Sequence, residues 1–295
     1  MNPFLPFVSI IVPTYNREEV LCQTITHLLT QNYPTYEIVV VDQTTNHNTS
    51  TQEYLKKHAA DVRYFQLAQP SLPKARNFGV QQAKGEIIVF VDDDVEVDKN
   101  WLNAHIKNFH DASIGGISGR IIEDNVPIIN TTEIGRVTKW GRVIGNRAST
   151  ARTQIEWASG GNASFRRILV EKIGGFDEAF QGNAIFEDTD FSFRLRSLGY
   201  KIYFDPEAVL IHLAVRQGGC ETRTKDRVNY YYWFLHNKTL FFMKNFPPYY
   251  WPLMFITNFL RAIKVGLVES QSVKTFFNLC QAMLAGSKLY RQNRR

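Results

Sequence analysis

The sequence predicts an α/β fold with a mostly parallel central sheet flanked by helices, followed by a helical C-terminal extension. Over residues 1–215, short apolar runs alternate with segments of helical periodicity, an order typical of parallel sheets with right-handed crossovers. One run, 87–91, is continuously β-branched or aromatic, as in a strand buried on both faces. From residue 216 to 295 the composition becomes basic and aromatic, which predicts a separate extension.

Predicted strands and helices alternate most regularly in the first third of the chain. Residues 7–12 predict a strand, and apolar positions at helical spacing within 18–31 predict a helix that Pro34 ends. No Gly-x-Gly-x-x-Gly motif follows the first strand, so a dinucleotide site is not expected. The next predicted elements are strands at 37–41, 62–67 and 87–91 and helices around residues 54–55, at 74–83 and at 101–109.

The pattern after residue 110 is less regular. Residues 115–157 are rich in Gly, Asn, Thr and Arg, and we expect strands and a mobile loop there. A helix is predicted at 191–198, ended by Gly199. Two short strands, 201–204 and 208–212, are predicted to follow, with a turn at Asp205-Pro206 between them.

Three carboxylates, Asp92, Asp93 and Asp94, directly follow the buried strand 87–91. In an open parallel sheet, ligands bind beyond the carboxyl ends of the strands. Adjacent carboxylates repel one another unless a cation or protons compensate, and hard divalent ions share oxygen ligands with substrate phosphates. The triplet therefore predicts a metal–diphosphate site, with a solvated acidic turn as the alternative.

The net charge of +6 is unevenly distributed. Residues 216–295 carry 13 Lys/Arg and 3 Asp/Glu, whereas 1–215 carry 21 and 25. A basic extension suggests an anionic partner, either a membrane or a nucleic acid. Thirteen aromatics lie in 228–259, but the apolar stretch 249–260 is shorter than the roughly 20 residues that span a bilayer. Binding in the membrane interface and packing against the body of the protein both remain open.

The three cysteines, Cys22, Cys220 and Cys280, are odd in number and have no metal-ligand spacing. They predict a reducing compartment. The N-terminal residues lack a basic region followed by a long apolar run, so no secretory signal is expected. We therefore expect a cytoplasmic location, at the cytoplasmic face of the membrane if the extension binds lipid.

Four motifs occur in a fixed order along residues 8–212. They are Val-Ser-Ile-Ile-Val-Pro-Thr-Tyr-Asn-Arg, Glu-Ile-Val-Val-Val-Asp, Lys-Ala-Arg-Asn-Phe-Gly through Val-Asp-Asp-Asp, and Gly-Gly-Phe-Asp-Glu through Glu-Asp-Thr-Asp. Together they resemble the family 2 glycosyltransferases, which implies a GT-A fold with a Rossmann-like sheet in a catalytic domain at 1–215. The sequence departs from the family at 43–45, where Gln-Thr-Thr stands in place of the usual small residues.

The resemblance implies a donor site at the strand ends. Tyr15 would lie against the base, since stacking suits a flat heterocycle; a core tyrosine is the alternative. Asp42 would accept a hydrogen bond from the base, and Arg76, or more weakly Lys74, would neutralise the diphosphate or fix the nucleoside. Asp93 would face the ribose. The implied donor-binding residues are Pro13, Thr14, Tyr15, Asp42, Lys74, Arg76, Asp92 and Asp93.

The resemblance also implies a divalent cofactor, Mg²⁺ or Mn²⁺, held by Asp94. His212 follows the second acidic cluster, where some relatives carry a further metal ligand; a structural histidine is the alternative. Charge develops on the diphosphate as the sugar leaves, and a metal stabilises this charge as a Lewis acid. Asp92 would support the site through water or hydrogen bonds.

Asp188 matches the family's general base, which takes the proton of the acceptor hydroxyl. Helix capping is the alternative, because acids are favoured at helix N-termini; Glu187 and Asp190 would orient the site or cap the helix. Residues 216–219 match a loop that closes on the donor in relatives, by analogy alone. The implied acceptor-binding residues are Trp157, with its indole as a sugar platform, Gly160, Gly161, Asn162 and Glu187.

The leading hypothesis is an inverting, metal-dependent glycosyltransferase of cell-envelope polysaccharide biosynthesis. The donor would be a UDP-, GDP- or dTDP-sugar, and the acceptor a glycan or lipid-linked sugar beside an anionic membrane. The Gln-x-x-Arg-Trp motif of processive synthases does not occur, which predicts one sugar per event. A sugar nucleotidyltransferase and a non-catalytic binding module of the same fold are the alternatives, and a nucleic-acid partner is not expected.

Overall fold

A computed structural model describes residues 5–215, 217–219 and 227–293. The strands in this part of the chain are β1 (Val8–Thr14), β2 (Tyr36–Asp42), β3 (Val62–Gln66), β4 (Ile87–Val91), β5 (Val95–Val97), β6 (Ile114–Ile122), β7 (Arg136–Val137), β8 (Val143–Ile144), β9 (Thr153–Ile155), β10 (Asn162–Arg166) and β11 (Lys201–His212). The α-helices are α1 (Glu19–Leu29), α2 (Thr49–Lys57), α3 (Leu72–Gln82), α4 (Trp101–Ile106), α5 (Arg167–Lys172), α6 (Glu187–Ser197), α7 (Arg227–Asn245), α8 (Trp251–Ile263) and α9 (Val273–Asn293).

The central sheet has the strand order β3-β2-β1-β4-β10-β6-β11-β5, with β9 paired to β11. The pairs β1–β2, β1–β4, β2–β3 and β6–β11 are parallel, whereas β10, β5 and β9 run antiparallel to their neighbours. The predicted α/β fold with a mostly parallel sheet is confirmed. The register pairs Thr14 with Asp42, so the carboxyl ends of β1 and β2 lie at the same edge.

One strand prediction was wrong. The two short strands expected at 201–204 and 208–212 are a single strand, β11, whose pairing with β6 shifts register between Asp205 and Val209. Asp205 is buried at this shift, where its carboxylate accepts hydrogen bonds from the Glu207 amide at 2.9 Å and from Asn108 Nδ2 at 2.8 Å. The Asp-Pro pair therefore lies at an irregularity within the strand. The strand continues through it because the buried Asp205 carboxylate accepts the hydrogen bond of the Glu207 amide.

Apolar side chains cover both faces of the sheet. One cluster packs Leu21 and Ile25 of α1, together with Trp101 of α4, against β1 and β4. The other surrounds Phe90 with aromatic rings, and in it Phe176 and Phe191 stack with centroids 4.3 Å apart. Burial on both faces explains why the strands read as continuous apolar runs.

The C-terminal helices pack against the sheet domain through α7. Its Phe241 stacks on Phe186 with centroids 5.5 Å apart and meets Phe193 edge-on at 5.3 Å. The helices beyond it leave large apolar side chains exposed, namely Leu253, Ile256, Phe259, Leu260, Leu267, Val268, Val273, Phe277 and Leu284. The aromatic extension therefore both packs on the body and presents an apolar surface.

Within the described residues, one helical segment, Pro248–Glu269, is long and apolar enough to cross a membrane. It comprises a 3₁₀ turn, α8 and a π-helical turn, Lys264–Glu269, and it is longer than the apolar stretch 249–260 that the sequence suggested. One such helix is weak evidence, because a core helix of a soluble protein passes the same test; here 28% of the apolar window is buried.

A buried polar network joins β10 to its neighbours through Asn162. The Asn162 carbonyl oxygen accepts hydrogen bonds from Trp101 Nε1 at 3.0 Å and from His105 Nε2 at 2.9 Å. Its amide nitrogen donates to the carbonyl oxygens of Arg120 and Ala208, both at 2.9 Å. Burial lowers the pKa of His105 to about 4, so this imidazole is neutral near pH 7. Every polar atom of the Asn162 side chain has a partner.

We expect Asn162→Ala to lower the free energy of unfolding by about 2–4 kcal/mol, because it leaves several buried groups without partners. Chemical denaturation monitored by circular dichroism measures the change. Asn32→Ala is the matched control, since Asn32 is exposed, and it is expected to change the stability by less than about 0.5 kcal/mol. Equal effects of the two substitutions would contradict a structural role for Asn162.

Candidate functional site

A cavity of about 340 Å³ opens at the carboxyl edge of the sheet. Its position follows from the fold, because parallel strands end together there and leave their loops around a crevice. The lining includes the predicted residues Pro13, Thr14, Tyr15, Asp92, Asp93, Asp94 and His212, and also Arg17, Gln43, Pro70, Ser71, Leu72, Glu123, Arg147, Gly182 and Gly219.

Arg17 compensates the acidic triplet. It is 5% exposed, and its guanidinium donates to Asp93 Oδ1 at 3.2 Å and to Asp94 Oδ2 at 2.9 Å. Burial raises the pKa of Asp93 to about 7, with the Asp94 charge adding to it and Arg17 opposing it. The buried guanidinium of Arg17 therefore contacts both carboxylates and stabilises their ionised forms.

The same arginine fastens the chain that follows β11. Arg17 Nη1 donates to the Val215 carbonyl at 2.8 Å and to the carbonyl of Gln217, and the Val215 amide donates to Asp94 Oδ2 at 3.0 Å. The Gly219 amide reaches the Tyr15 carbonyl at 2.7 Å. Residues 217–219 thus lie on the β1 loop and border the cavity, while Arg216 of the predicted loop lies outside the described residues.

His212 lies between two carboxylates. Its Nε2 is 3.1 Å from Asp94 Oδ1 and its Nδ1 is 3.0 Å from Glu123 Oε1. Burial alone would lower its pKa, but the hydrogen bonds to Asp94 and Glu123 and the charges of Asp94 and Asp92 outweigh burial and raise the pKa to about 10. The imidazole therefore carries a proton at neutral pH in this arrangement.

No group of three or more His, Cys, Asp or Glu side chains within 5–215, 217–219 and 227–293 has the arrangement of a metal site. Asp94 and His212 nevertheless meet at the cavity wall. Carboxylate oxygens suit Mn²⁺, and Mg²⁺ commonly takes one or two carboxylates and completes its shell with substrate phosphates and water. The two residues fit a partial ligand set of this kind.

Asp42 is turned away from the cavity. It is fully buried, and its oxygens accept hydrogen bonds from the Thr44 amide at 2.6 Å and Tyr64 OH at 3.0 Å, while His47 Nε2 lies at 2.5 Å. Gln43, the next residue, lines the cavity instead. In this arrangement the Asp42 carboxylate has its partners within the protein.

A second cavity, of about 690 Å³, adjoins the first. The two share Leu72, Asp92 and Arg147 in their linings. The predicted residues Arg76, Trp157, Gly160, Gly161, Glu187 and Asp188 line it, together with Trp140, Gly141, Arg142, Val143, Tyr230, Phe234, Lys238, Thr257 and Arg261. Helices α7 and α8 therefore supply part of its wall.

Asp188 lies in the first turn of α6, facing this second cavity. Its Oδ2 accepts a hydrogen bond from the Gly160 amide at 3.2 Å, and its Oδ1 from the Thr189 amide at 2.7 Å. The preceding residue, Phe186, has φ = 78° at the helix N-cap, and Ala184 has φ = 54°. Non-glycine residues in the left-handed region carry strain that accumulates at functional sites.

Arg76 connects the two acidic clusters. It is 2% exposed, forms an ion pair with Glu187, and lies 3.8 Å from Asp92 Oδ1. Burial and the neighbouring Asp188 charge raise the pKa of Glu187 to about 8, against the opposing charge of Arg76. A Cβ at Gly160 would lie 2.6 Å from the Arg76 guanidinium, so a larger residue here would displace that group.

Three predicted residues do not line either cavity, namely Asp42, whose partners are given above, Lys74 and Asn162. Lys74 is exposed on α3, and Asn162 is held in the core by its four hydrogen bonds. The sequence reasoning gave no role to several lining residues whose partners are distant in the chain. Arg17 stood within a quoted motif, and the basic aromatic composition around Lys238 was noticed without a site. The lining residues missed are Arg17, Gln43, Glu123, Arg147, Lys238 and Arg261.

The family model described as glycosyl transferase family 2 matches residues 9–174, more than half of the chain. The O-antigen biosynthesis protein RfbC of Myxococcus xanthus is 28% identical over 225 residues, covering 70% of this chain and 17% of the relative. The poly-beta-1,6-N-acetyl-D-glucosamine synthase of Staphylococcus aureus strain COL is 26% identical over 209 residues, covering 68% and 48%. The chain matches less than half the length of these curated relatives.

Solved structures share the fold. The mannosyltransferase PcManGT from Pyrobaculum calidifontis, in complex with GDP-Man and Mn²⁺, aligns with a TM-score of 0.56 at 19% identity, covering 99% of this chain and 80% of that one. GalNAc-T7 with UDP, GalNAc and Mn²⁺ aligns with a TM-score of 0.61 at 20% identity, and the alignment covers 82% of this chain and 50% of that one. S. aureus TarS 1-349 aligns with a TM-score of 0.57 at 18% identity, and the alignment covers 97% of this chain and 89% of that one. At these identities the likeness shows the GT-A fold.

Because Arg17 is the guanidinium partner of two buried carboxylates, we expect Arg17→Ala to lower the free energy of unfolding by about 3–5 kcal/mol in a chelating buffer. Denaturant titration measures it. Arg167→Ala is the matched control, since Arg167 forms an exposed pair with Glu171 at 2.7 Å, and should cost about 0.5 kcal/mol or less. Equal losses for the two variants would refute the compensating role of Arg17.

Proposed function

The chain belongs to glycosyl transferase family 2, and on that basis we propose that it moves one sugar from a nucleotide-diphosphate donor to an acceptor hydroxyl. The observation that carries the proposal is the pair of adjoining cavities. One contains the acidic strand end, the other contains Asp188, and Asp92 belongs to both. Such a junction allows the donor sugar to meet the acceptor between the two.

The first cavity is proposed as the donor site. Tyr15 supplies an aromatic face for the base, and Arg147 at the shared wall supplies a cation for phosphate oxygens. Asp94 and His212 would hold Mn²⁺ or Mg²⁺, and a metal bound there stabilises the charge of the leaving diphosphate. With His212 as a ligand, its imidazole would give up the proton that it holds between Asp94 and Glu123.

The second cavity is proposed as the acceptor site. Asp188 accepts the proton of the attacking hydroxyl, and the hydrogen bonds from Gly160 and Thr189 hold its carboxylate in place. Trp157 lines the same cavity, where its indole would form a platform for the acceptor sugar. One base and direct displacement give inversion at the anomeric carbon.

We further propose that the acceptor is a glycan or lipid-linked sugar presented at an anionic membrane surface. The exposed apolar side chains of α8 and α9 support this placement, as does the excess of basic residues after residue 216, at about one kcal/mol per residue near an anionic surface. The relatives named for O-antigen and for poly-N-acetylglucosamine synthesis support a role in cell-envelope polysaccharide.

Calorimetric titration of UDP, GDP and dTDP, with and without Mn²⁺, tests the donor site. We expect one nucleotide to bind in a metal-dependent manner, because a phosphate-bound ion would share Asp94, and we expect Asp94→Ala to weaken binding by about tenfold or more. Asp61→Ala, an exposed acid, is the control and should bind as the wild type does. If no nucleotide binds the wild type with Mn²⁺ present, the transferase proposal fails.

Replacement of the proposed base tests catalysis separately. Asp188→Asn keeps the size of the side chain and one of its two accepting oxygens but removes the base, so we expect the turnover of the bound donor to fall by about 10²–10⁴-fold. Nucleotide release from the donor measures turnover, and nucleotide affinity should stay unchanged. The control is Asp111→Asn at an exposed turn. An unchanged rate in Asp188→Asn would favour capping as the only role of Asp188.

A further inference from the structure

Lys238 is an unusual lysine on α7. It is only 5% exposed, yet within the described residues its ammonium group forms neither an ion pair with a carboxylate nor a hydrogen bond. Its Nζ lies 5.9 Å from the centroid of the Phe234 ring, and the residue lines the second cavity. Burial, with Arg261 adding to it, lowers its pKa to about 8. Such an ammonium is costly without an anion beside it.

A second cation lies over the same aromatic ring. Arg261 of α8 has its Cζ 5.4 Å from the Phe234 centroid and 5.9 Å from that of Tyr231. Within the described residues, Arg261 also forms no ion pair, although it lines the cavity. Two neighbouring cations repel each other, so their placement at one cavity wall favours an anionic ligand between them.

The remaining wall near Lys238 is closely fitted. Gly141, at the turn between β7 and β8, has φ = 83°, and a Cβ there would lie 2.8 Å from Lys238 Cε. The next residue, Arg142, is an exposed cation of the same lining. The carboxylates of this cavity, Asp92, Glu187 and Asp188, belong instead to the end of β4 and the start of α6. The lining is thus basic where α7, α8 and the β7–β8 turn meet.

We propose that Lys238 and Arg261 form a subsite for a phosphoryl group carried by the acceptor. The inference rests on the proposed transfer reaction, since it treats the second cavity as the acceptor site. Two cations match the double negative charge of a phosphate monoester or the charge of a pyrophosphate better than the single charge of a carboxylate. The acceptor would then be a sugar joined to phosphate or pyrophosphate, with its hydroxyl directed to Asp188.

The position of α8 bears on the source of the phosphoryl group. Thr257 and Arg261, one helical turn apart, face the cavity, while Leu253, Ile256 and Leu260 are exposed on the same helix. A prenyl or acyl chain attached to the phosphate would find apolar surface directly beyond the subsite. A soluble sugar phosphate would use the two cations alone, so the two sources predict different affinities.

Calorimetry on the full chain tests the subsite, with inorganic pyrophosphate and farnesyl pyrophosphate as probes. EDTA in the buffer removes metal-dependent binding at the donor site. We expect Lys238→Met and Arg261→Gln each to weaken pyrophosphate binding about tenfold or more, since each removes a charge-assisted contact. Lys238→Arg should retain binding. Lys288→Gln is the matched control at an exposed lysine of α9 and should bind as the wild type does.

Tighter binding of farnesyl pyrophosphate, lost in the same variants, identifies a lipid-linked source, and equal affinity for both probes identifies a soluble phosphate. Absence of pyrophosphate binding, or binding that neither variant weakens, overturns the subsite. Because Arg261 is exposed, its variant remains informative if Lys238→Met fails to fold. Titration of the nucleotide with Mn²⁺ on Arg261→Gln separates the hypotheses: intact nucleotide binding with an unchanged pyrophosphate affinity removes the subsite and leaves the proposed function standing.

Discussion

The compensation of buried carboxylates at the sheet edge is the constraint on which this structure depends. Asp93 and Asp94 follow β4 and are buried from water, so their ionised forms require a neighbouring cation. Arg17 supplies it and at the same time ties down the chain after β11 through the carbonyl of Val215. Arg76 forms an ion pair with the buried Glu187 and lies 3.8 Å from Oδ1 of the partly exposed Asp92. The two arginines therefore connect five segments that are distant in the sequence, namely the loop after β1, the end of β4, the chain after β11, α3 and the start of α6.

The sequence predicted the layers of the fold because periodicity reports burial directly. Continuous apolar runs gave β1, β2 and β4, and the acidic triplet gave the edge at which a site opens. β11 was divided in error because an Asp-Pro pair is usually a turn signal. Here the carboxylate of Asp205 satisfies the amide of Glu207 and the side chain of Asn108 within the strand, a compensation that local sequence does not reveal.

The sequence predicted the motif residues of the candidate site, but it did not predict the residues from distant segments that line the cavities with them. Asp94, Asp188 and Tyr15 were named from motifs, and the structure brings them to two adjoining cavities. Asn162, which was predicted together with Gly160 and Gly161, instead points into the core, because its side chain has four hydrogen-bond partners there. Lys238 was not among the predicted site residues. Its significance comes from the absence of a carboxylate partner among the described residues, which the sequence alone does not show.

The division of the two cavities along the chain has an evolutionary consequence. Most of the first cavity is lined before residue 150, whereas the second takes much of its wall from 157–261, and the family match ends at residue 174. If the two cavities bind donor and acceptor as proposed, the residues that select each substrate lie in largely different stretches of the chain. On that proposal, substitutions in α7 and α8 would change the acceptor while the nucleotide requirement stays under separate selection.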